Sequence, residues 1–165
     1  SGATLENANA VGVQRIDDST GAVTMPEQPA FSAYPASQQA NIAEGSDVTI
    51  AFGTEIFDIG SNFASNTFTA PVTGKYQLNA HVRLNYIDID SAYYYLKLVT
   101  SNKTYHSIVS PGAFDADPGY WSMNYSVLAD MDVSDTAHVV IYQEASGVVQ
   151  TDIDVEAQFS GFLAC

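Results

Sequence analysis

Five groups of neighbouring carboxylates are the side chains best suited, by type and spacing, to do chemistry: Asp17-Asp18, Asp88/Asp90, Asp115/Asp117, Asp130/Asp132/Asp135 and Asp152/Asp154/Glu156. Most fall in segments that read as loops. Hard oxygen donors gathered in a loop are what Ca²⁺ needs, because it takes about six to eight oxygens at roughly 2.3–2.6 Å. None of the five follows an EF-hand loop, and their plain reading is a set of solvated acidic loops. The three histidines, His81, His106 and His138, fall in three different strand segments with no second His at ligand spacing. Each therefore reads as a surface or interface residue. Ser and Asp are plentiful, yet no Gly-x-Ser-x-Gly elbow and no Cys–His pairing anchors a nucleophile. The chain reads as a non-enzyme.

The charge balance narrows the partners. In 165 residues there are 19 Asp+Glu against five Lys+Arg, a net charge of −14. Such a chain is repelled by phosphate backbones and by anionic lipid, so neither nucleic acid nor membrane insertion is expected. No run of about 18 apolar residues exists to span a bilayer. No basic segment followed by an apolar run marks a signal peptide, and the Ser1-Gly2 start fits a processed or trimmed terminus. The single cysteine, Cys165, excludes an internal disulfide framework. Apolar residues make up 46% of the chain, enough for one well-packed domain.

The elements that must position any site read as strands. Residues 75–87, KYQLNAHVRLNYI, alternate strictly: Tyr76, Leu78, Ala80, Val82, Leu84 and Tyr86 against Lys75, Gln77, Asn79, His81, Arg83 and Asn85. That period of two predicts a long, half-buried antiparallel strand. Further strands are expected at 30–34, 47–52, 66–70, 91–100, 104–109, 120–129, 137–144 and 154–163. Turn chemistry separates them, at Ile59-Gly60-Ser61-Asn62, Val72-Thr73-Gly74, Asp117-Pro118-Gly119 and Ser146-Gly147. No segment has a convincing helical period. The pattern predicts an all-β sandwich or jelly roll over residues 29–165. Residues 1–28 lack aromatics and read as an extended arm with one hairpin, Val11 to Ile16 and Ala22 to Met25. Tyr93-Tyr94-Tyr95 places large rings on both faces of one strand, which fits either a second buried surface beyond the core or an ordinary core with one exposed Tyr.

Three segments carry a family resemblance. Pro29-Ala30-Phe31-Ser32-Ala33 resembles the first strand of complement C1q-like globular domains. Phe68-Thr69-Ala70-Pro71-Val72-Thr73-Gly74-Lys75-Tyr76 is similar to that family's Phe-x-x-Pro-x-x-Gly-x-Tyr segment, and Phe159-Ser160-Gly161-Phe162-Leu163 to its last strand. Ser126-Val127-Leu128 through Asp135-Thr136-Ala137-His138-Val139 resembles the strand, turn and strand that precede it. In physical terms, Pro71 ends a strand, Gly74 supplies a tight turn, and Phe68 and Tyr76 face inward from adjoining strands. Gly161 allows close backbone approach, or marks a bulge.

The resemblance implies a ten-stranded jelly roll of the C1q/tumour necrosis factor type that assembles as a homotrimer and recognises rather than catalyses. It also points to the loop 111–120, where Asp115 and Asp117 are the candidate Ca²⁺ ligands, with three copies converging near an axis. Tyr86, Tyr120 and Trp121, near loop ends, are candidates for stacking on sugar faces, with a place in the core the equal alternative for Trp121. The family's collagen stalk is missing. An arm of the kind VQRIDDSTGAVTMPEQPAF leading into such a head resembles the ends of bacteriophage fibre or appendage proteins. The expected function is then a non-enzymatic virion protein. It would bind a host-surface glycan or protein, and other virion proteins through its arm. A secreted lectin-like module and a purely architectural capsid or tail protein are the alternatives. Asn102-Lys103-Thr104 and Asn124-Tyr125-Ser126 match a glycosylation acceptor, which only the secreted setting would modify.

Overall fold

The computed structural model describes residues 4–6, 12–16, 19–145, 147 and 149–165. The arm forms a small antiparallel sheet of β1 (Thr4–Glu6), β2 (Gly12–Ile16) and β3 (Val23–Thr24), in that order. The expected hairpin is the β2–β3 pair. Its residue Val11 and turn residues Asp17 and Asp18 lie outside the described residues.

Twelve strands follow. They are β4 (Ala30–Tyr34), β5 (Asp47–Thr49), β6 (Thr54–Ile59), β7 (Phe63–Ala64), β8 (Thr67–Thr69) and β9 (Gly74–Asn85), then β10 (Tyr94–Thr100), β11 (Thr104–Val109), β12 (Tyr120–Met131), β13 (Thr136–Gln143), β14 (Asp152–Ile153) and β15 (Gln158–Leu163). A single 3₁₀ turn, Pro111–Ala113, precedes β12. The first sheet runs β12-β9-β15-β4-β6 with β14 beside β9; the second runs β11-β10-β13-β8-β7 with β5 beside β13. Two five-stranded paths with long crossovers make the expected ten-stranded sandwich, and β5 and β14 are short additions to it.

The core lies between the sheets and is built by the alternation read from the sequence. Tyr76, Leu78, Val82 and Leu84 of β9 are fully buried, as are Leu96 and Leu98 of β10 and Val139 and Ile141 of β13. An aromatic cluster fills one end: Phe31 stacks on Phe63 at 5.0 Å and on Phe68 at 4.7 Å, with Phe159 edge-on at 4.9 Å. Burying each such ring is worth about 1.5–3 kcal/mol. Phe68 and Tyr76 do meet inside, 5.4 Å apart.

Several expectations are corrected. Segment 66–70 is one arm of a two-strand hairpin, β7–β8, and 47–52 shortens to β5. Segment 154–163 becomes a strand only at Gln158, and Val155 before it is 43% exposed. β6 was not expected at all: it is an edge strand whose Ile56 and Phe57 face solvent, so its sequence lacks a polar–apolar alternation. Gly74 makes no left-handed turn. It starts β9 where a Cβ would lie 2.6 Å from Leu163 Cδ1 and 2.7 Å from the Cys165 carbonyl oxygen, so it is small to admit the C-terminus. Gly161 lies in regular pairing rather than a bulge, and a Cβ there would lie 2.9 Å from the Phe31 ring.

Candidate functional site

Tyr86, Asp115, Asp117 and Tyr120 are brought together at one end of the sandwich. Three connections meet there: β9–β10, β11–β12 and β13–β14. Tyr86 N–H donates to Gly119 O and Ile87 N–H to Pro118 O, both at 3.0 Å. The Thr151 hydroxyl donates to Tyr86 O at 3.0 Å. The buried Tyr94 hydroxyl joins the loops, accepting from Asp88 N–H at 3.0 Å and lying 2.9 Å from Thr151 Oγ1.

These bonds hold Tyr86 at φ +60°, a left-handed conformation costly for an aromatic residue, with its ring 59% exposed. Strain of about 1–3 kcal/mol at an exposed side chain has to be held in place by its surroundings, which is typical of functional positions. Tyr120 is 69% exposed and pairs across the sheet with Asn85. The Arg83 guanidinium lies 5.4 Å from the Tyr120 ring centroid and is fixed by Asp154 Oδ1 at 2.8 Å. That hydrogen bond to Asp154, acting against partial desolvation, holds the guanidinium pKa above its ordinary value.

Asp154 is itself buried, and burial alone would raise its pKa. Hydrogen bonds from Asn85 Nδ2 at 2.7 Å and from Glu156 N–H at 3.0 Å, together with Arg83, outweigh that and hold its carboxyl below the ordinary value. Among the described residues, the buried atoms Arg83 Nε and Asn85 Oδ1 have no hydrogen-bond partner.

Trp121 does not join this surface. It lies opposite Leu84, faces inward and packs on Phe114 at 5.1 Å. The parity of β12 carries the signal, because Trp121 shares a face with the buried Met123, Ala129 and Met131.

The acidic groups divide in a way that loop composition does not reveal. Asp88, Asp152 and Asp154 are buried and serve as acceptors, not as solvated charges. Asp88 Oδ2 takes Val149 N–H at 2.7 Å, and Asp152 Oδ1 takes Asn41 N–H at 2.7 Å. Asp115 and Asp117 are exposed, and Asp117 Oδ1 accepts from Ile89 N–H at 3.0 Å. Among the described residues no group of three or more His, Cys, Asp or Glu is placed to hold a metal. Two carboxylates fall well short of the roughly six oxygens Ca²⁺ requires, so one chain does not complete a site.

The outer face of the first sheet has a different chemistry. Three rows cross it: Leu128, Gln77, Phe162, Ala30 and Ile59; Ser126, Asn79, Ser160, Ser32 and Phe57; and Asn124, His81 and Gln158. None is Asp, Glu, Lys or Arg. Amides and hydroxyls bond along the rows, with Ser126 Oγ to Asn79 Oδ1 and His81 Nδ1 to Asn124 Oδ1 both at 2.7 Å. Leu128, Phe162 and Phe57 are 54%, 45% and 48% exposed. Lys75–Asp130 at one end and Arg83–Asp154 at the other bound this neutral field.

The fold is thus a two-sheet jelly roll with an uncharged field on the outer face of its first sheet. Residues 30–164 match the C1q domain model, and the chain belongs to that family. Domains of the C1q/tumour necrosis factor type are non-enzymatic and typically trimerise. No curated protein sequence matches the chain. Among solved structures, the globular domain of zebrafish complement 1qA superposes with a TM-score of 0.61 at 18% identity, covering 84% of this chain and 98% of that one. Murine APRIL superposes at 0.59 and 11% identity, covering 82% and 98%. At such identities the likeness is one of fold.

Proposed function

We propose that this chain is the recognition head of a homotrimer, displayed through its N-terminal arm at the tip of a virion fibre or appendage. The observation that carries the trimer is the neutral face of β12, β9, β15, β4 and β6. In a chain of net charge −14, three rows free of formal charge and carrying exposed Leu128, Phe57 and Phe162 suit contact with copies of the same chain. With the first sheet turned toward its neighbours, the loop end bearing Tyr86 and Tyr120 is left to meet a host-surface receptor. The sequence resemblance of the arm to the ends of phage appendages supports the virion setting, where the same arm would join the other virion proteins.

Light scattering on the purified chain tests the assembly. The expected mass is three times 17.7 kDa. Ser126→Asp or Leu128→Asp, placed on the neutral face, is expected to yield folded monomers. A wild-type monomer at micromolar concentration would refute the trimer. Antibody labelling of particles tests the setting, and Tyr120→Ala, expected to weaken attachment to host cells without altering the mass, tests the recognition surface.

A further inference from the structure

The outer face of the second sheet carries a cluster that the recognition surface above does not use. β10 and β13 pair Tyr95 with Tyr142 and Lys97 with Val140. β11 sets Ile108 and His106 beside them, and β5 sets Asp47 against Tyr142. Tyr93, one residue before β10, shares the face of Tyr95. The rings of Tyr93 and Tyr142 are nearly parallel, at 14° with centroids 6.0 Å apart. Tyr95 stands across both, at 62° to Tyr93 and 54° to Tyr142, with centroids 5.1 and 6.3 Å away. Three rings therefore form a two-walled corner. Lys97 Nζ lies 5.6 Å from the Tyr95 centroid and 5.1 Å from that of Tyr142, and Asp47 Oδ1 pairs with it at 2.5 Å.

A face meant only for water has no use for three half-buried tyrosines, since ring surface left in water forfeits about 25 cal/mol per Å². We propose that this corner is a binding site for an uncharged carbohydrate. Charge selects among ligands. The chain as a whole repels anions, while at the corner the Lys97 charge is cancelled by Asp47, so no net positive field draws an acidic sugar in. A cationic ligand would add a second positive charge beside the Lys97 ammonium.

What remains suits a neutral pyranose. Its C–H faces carry slight positive charge and settle on the negative ring faces, and its hydroxyls both donate and accept. Tyrosine hydroxyls, the Lys97 ammonium and the Asp47 carboxylate supply both kinds of partner at the rim. In the trimer proposed above the corner faces outward in all three copies, so a repetitive polysaccharide would be held with avidity. Only that last step rests on the trimeric reading.

Saturation-transfer NMR tests the site, with neutral gluco-, galacto- and manno-oligosaccharides as probes and uronic acid oligomers as the acidic comparison. At least one neutral series is expected to bind, with transfer strongest at the ring C–H protons. Tyr95→Ala is expected to weaken binding about tenfold, in line with loss of one aromatic contact. Lys97→Met keeps the apolar stem and is expected to weaken binding several-fold, which separates a lost contact from a failure to fold. Light scattering on the same samples reports the trimer separately. Absence of neutral-sugar binding, preference for the acidic oligomers, or binding abolished by Tyr120→Ala but untouched by Tyr95→Ala and Lys97→Met would each overturn the proposal.

Discussion

Replacing Asp154 by Ala probes the support under the exposed Tyr120. The carboxylate accepts from Arg83 at 2.8 Å, Asn85 at 2.7 Å and Glu156 N–H at 3.0 Å. The Arg83 side chain is 36% exposed, so water replaces much of what it loses and the ion pair itself adds little. Glu156 is exposed and its N–H rehydrates too. Asn85 decides the outcome. It is 6% exposed, and its Oδ1 already has no partner. Removing Asp154 leaves the whole amide buried and unsatisfied, at about 1–3 kcal/mol.

The expected loss for Asp154→Ala is therefore about 1–3 kcal/mol in urea unfolding with unchanged m-value, and roughly 2–12 °C in Tm. Asp154→Asn, which keeps one acceptor, should lose about half as much. The sign of the pH effect follows. With the folded pKa held below the ordinary 3.8, Asp154 contributes stability above that pH and loses it as pH falls through the folded value. Both variants should lack this acid limb. A loss under about 0.5 kcal/mol, or an acid limb unchanged in Asp154→Ala, would refute the reasoning.

Three further outcomes are expected. Gly161→Ala presses a methyl against Leu78 at 2.7 Å, Phe31 at 2.9 Å and the Gln77 carbonyl at 3.0 Å, so thermal unfolding should show a loss of about 1–3 kcal/mol. Burial holds the His138 pKa below its ordinary 6.5, so folded stability should fall as pH drops below 6.5, and His138→Gln should flatten that slope in pH-resolved denaturation. If three copies of loop 111–120 share Ca²⁺, the ion should raise the Tm of the trimer, and EDTA should reverse it. Asp115→Asn with Asp117→Asn should abolish the effect, and no response in the wild-type trimer removes calcium from the picture.

Legibility from the sequence followed burial. β9 and β10 were readable because one face of each is inside and the other outside, so the pleat prints its period on the residue types. β6 left no such print, since an edge strand with exposed Ile56 and Phe57 has little inside to mark. The same limit governs the site. Tyr86, Tyr120 and Trp121 all read as large residues beside turn chemistry, and the parity of β12, which sets Trp121 with Met123 and Ala129, is what tells the inward ring from the outward one. Asp88, Asp152 and Asp154 read as solvated because a buried carboxylate bonded to backbone N–H groups looks, in sequence, like any loop aspartate. Lys97, Asp47 and Tyr142 come from three strands far apart in the chain, and only sheet order makes them neighbours.

On the two proposals above, the tyrosine triplet separates the work of the two outer faces. Two aromatic faces on one strand first suggested a buried interface, yet Tyr93 and Tyr95 lie on the second sheet, while the uncharged rows lie on the first. An interface between copies must hide its surface for good, so it favours neutrality and self-matching amides and hydroxyls. A ligand site must tolerate water when empty, so it favours rings tipped with hydroxyls and a charge pair that satisfies itself. Lys97 and Asp47 meet that second requirement and would be wasted in the first. The acidic surplus of the chain then has its place, because carboxylates are kept out of the three neutral rows and Asp47 on the second face is balanced by Lys97, which leaves each face a different kind of contact.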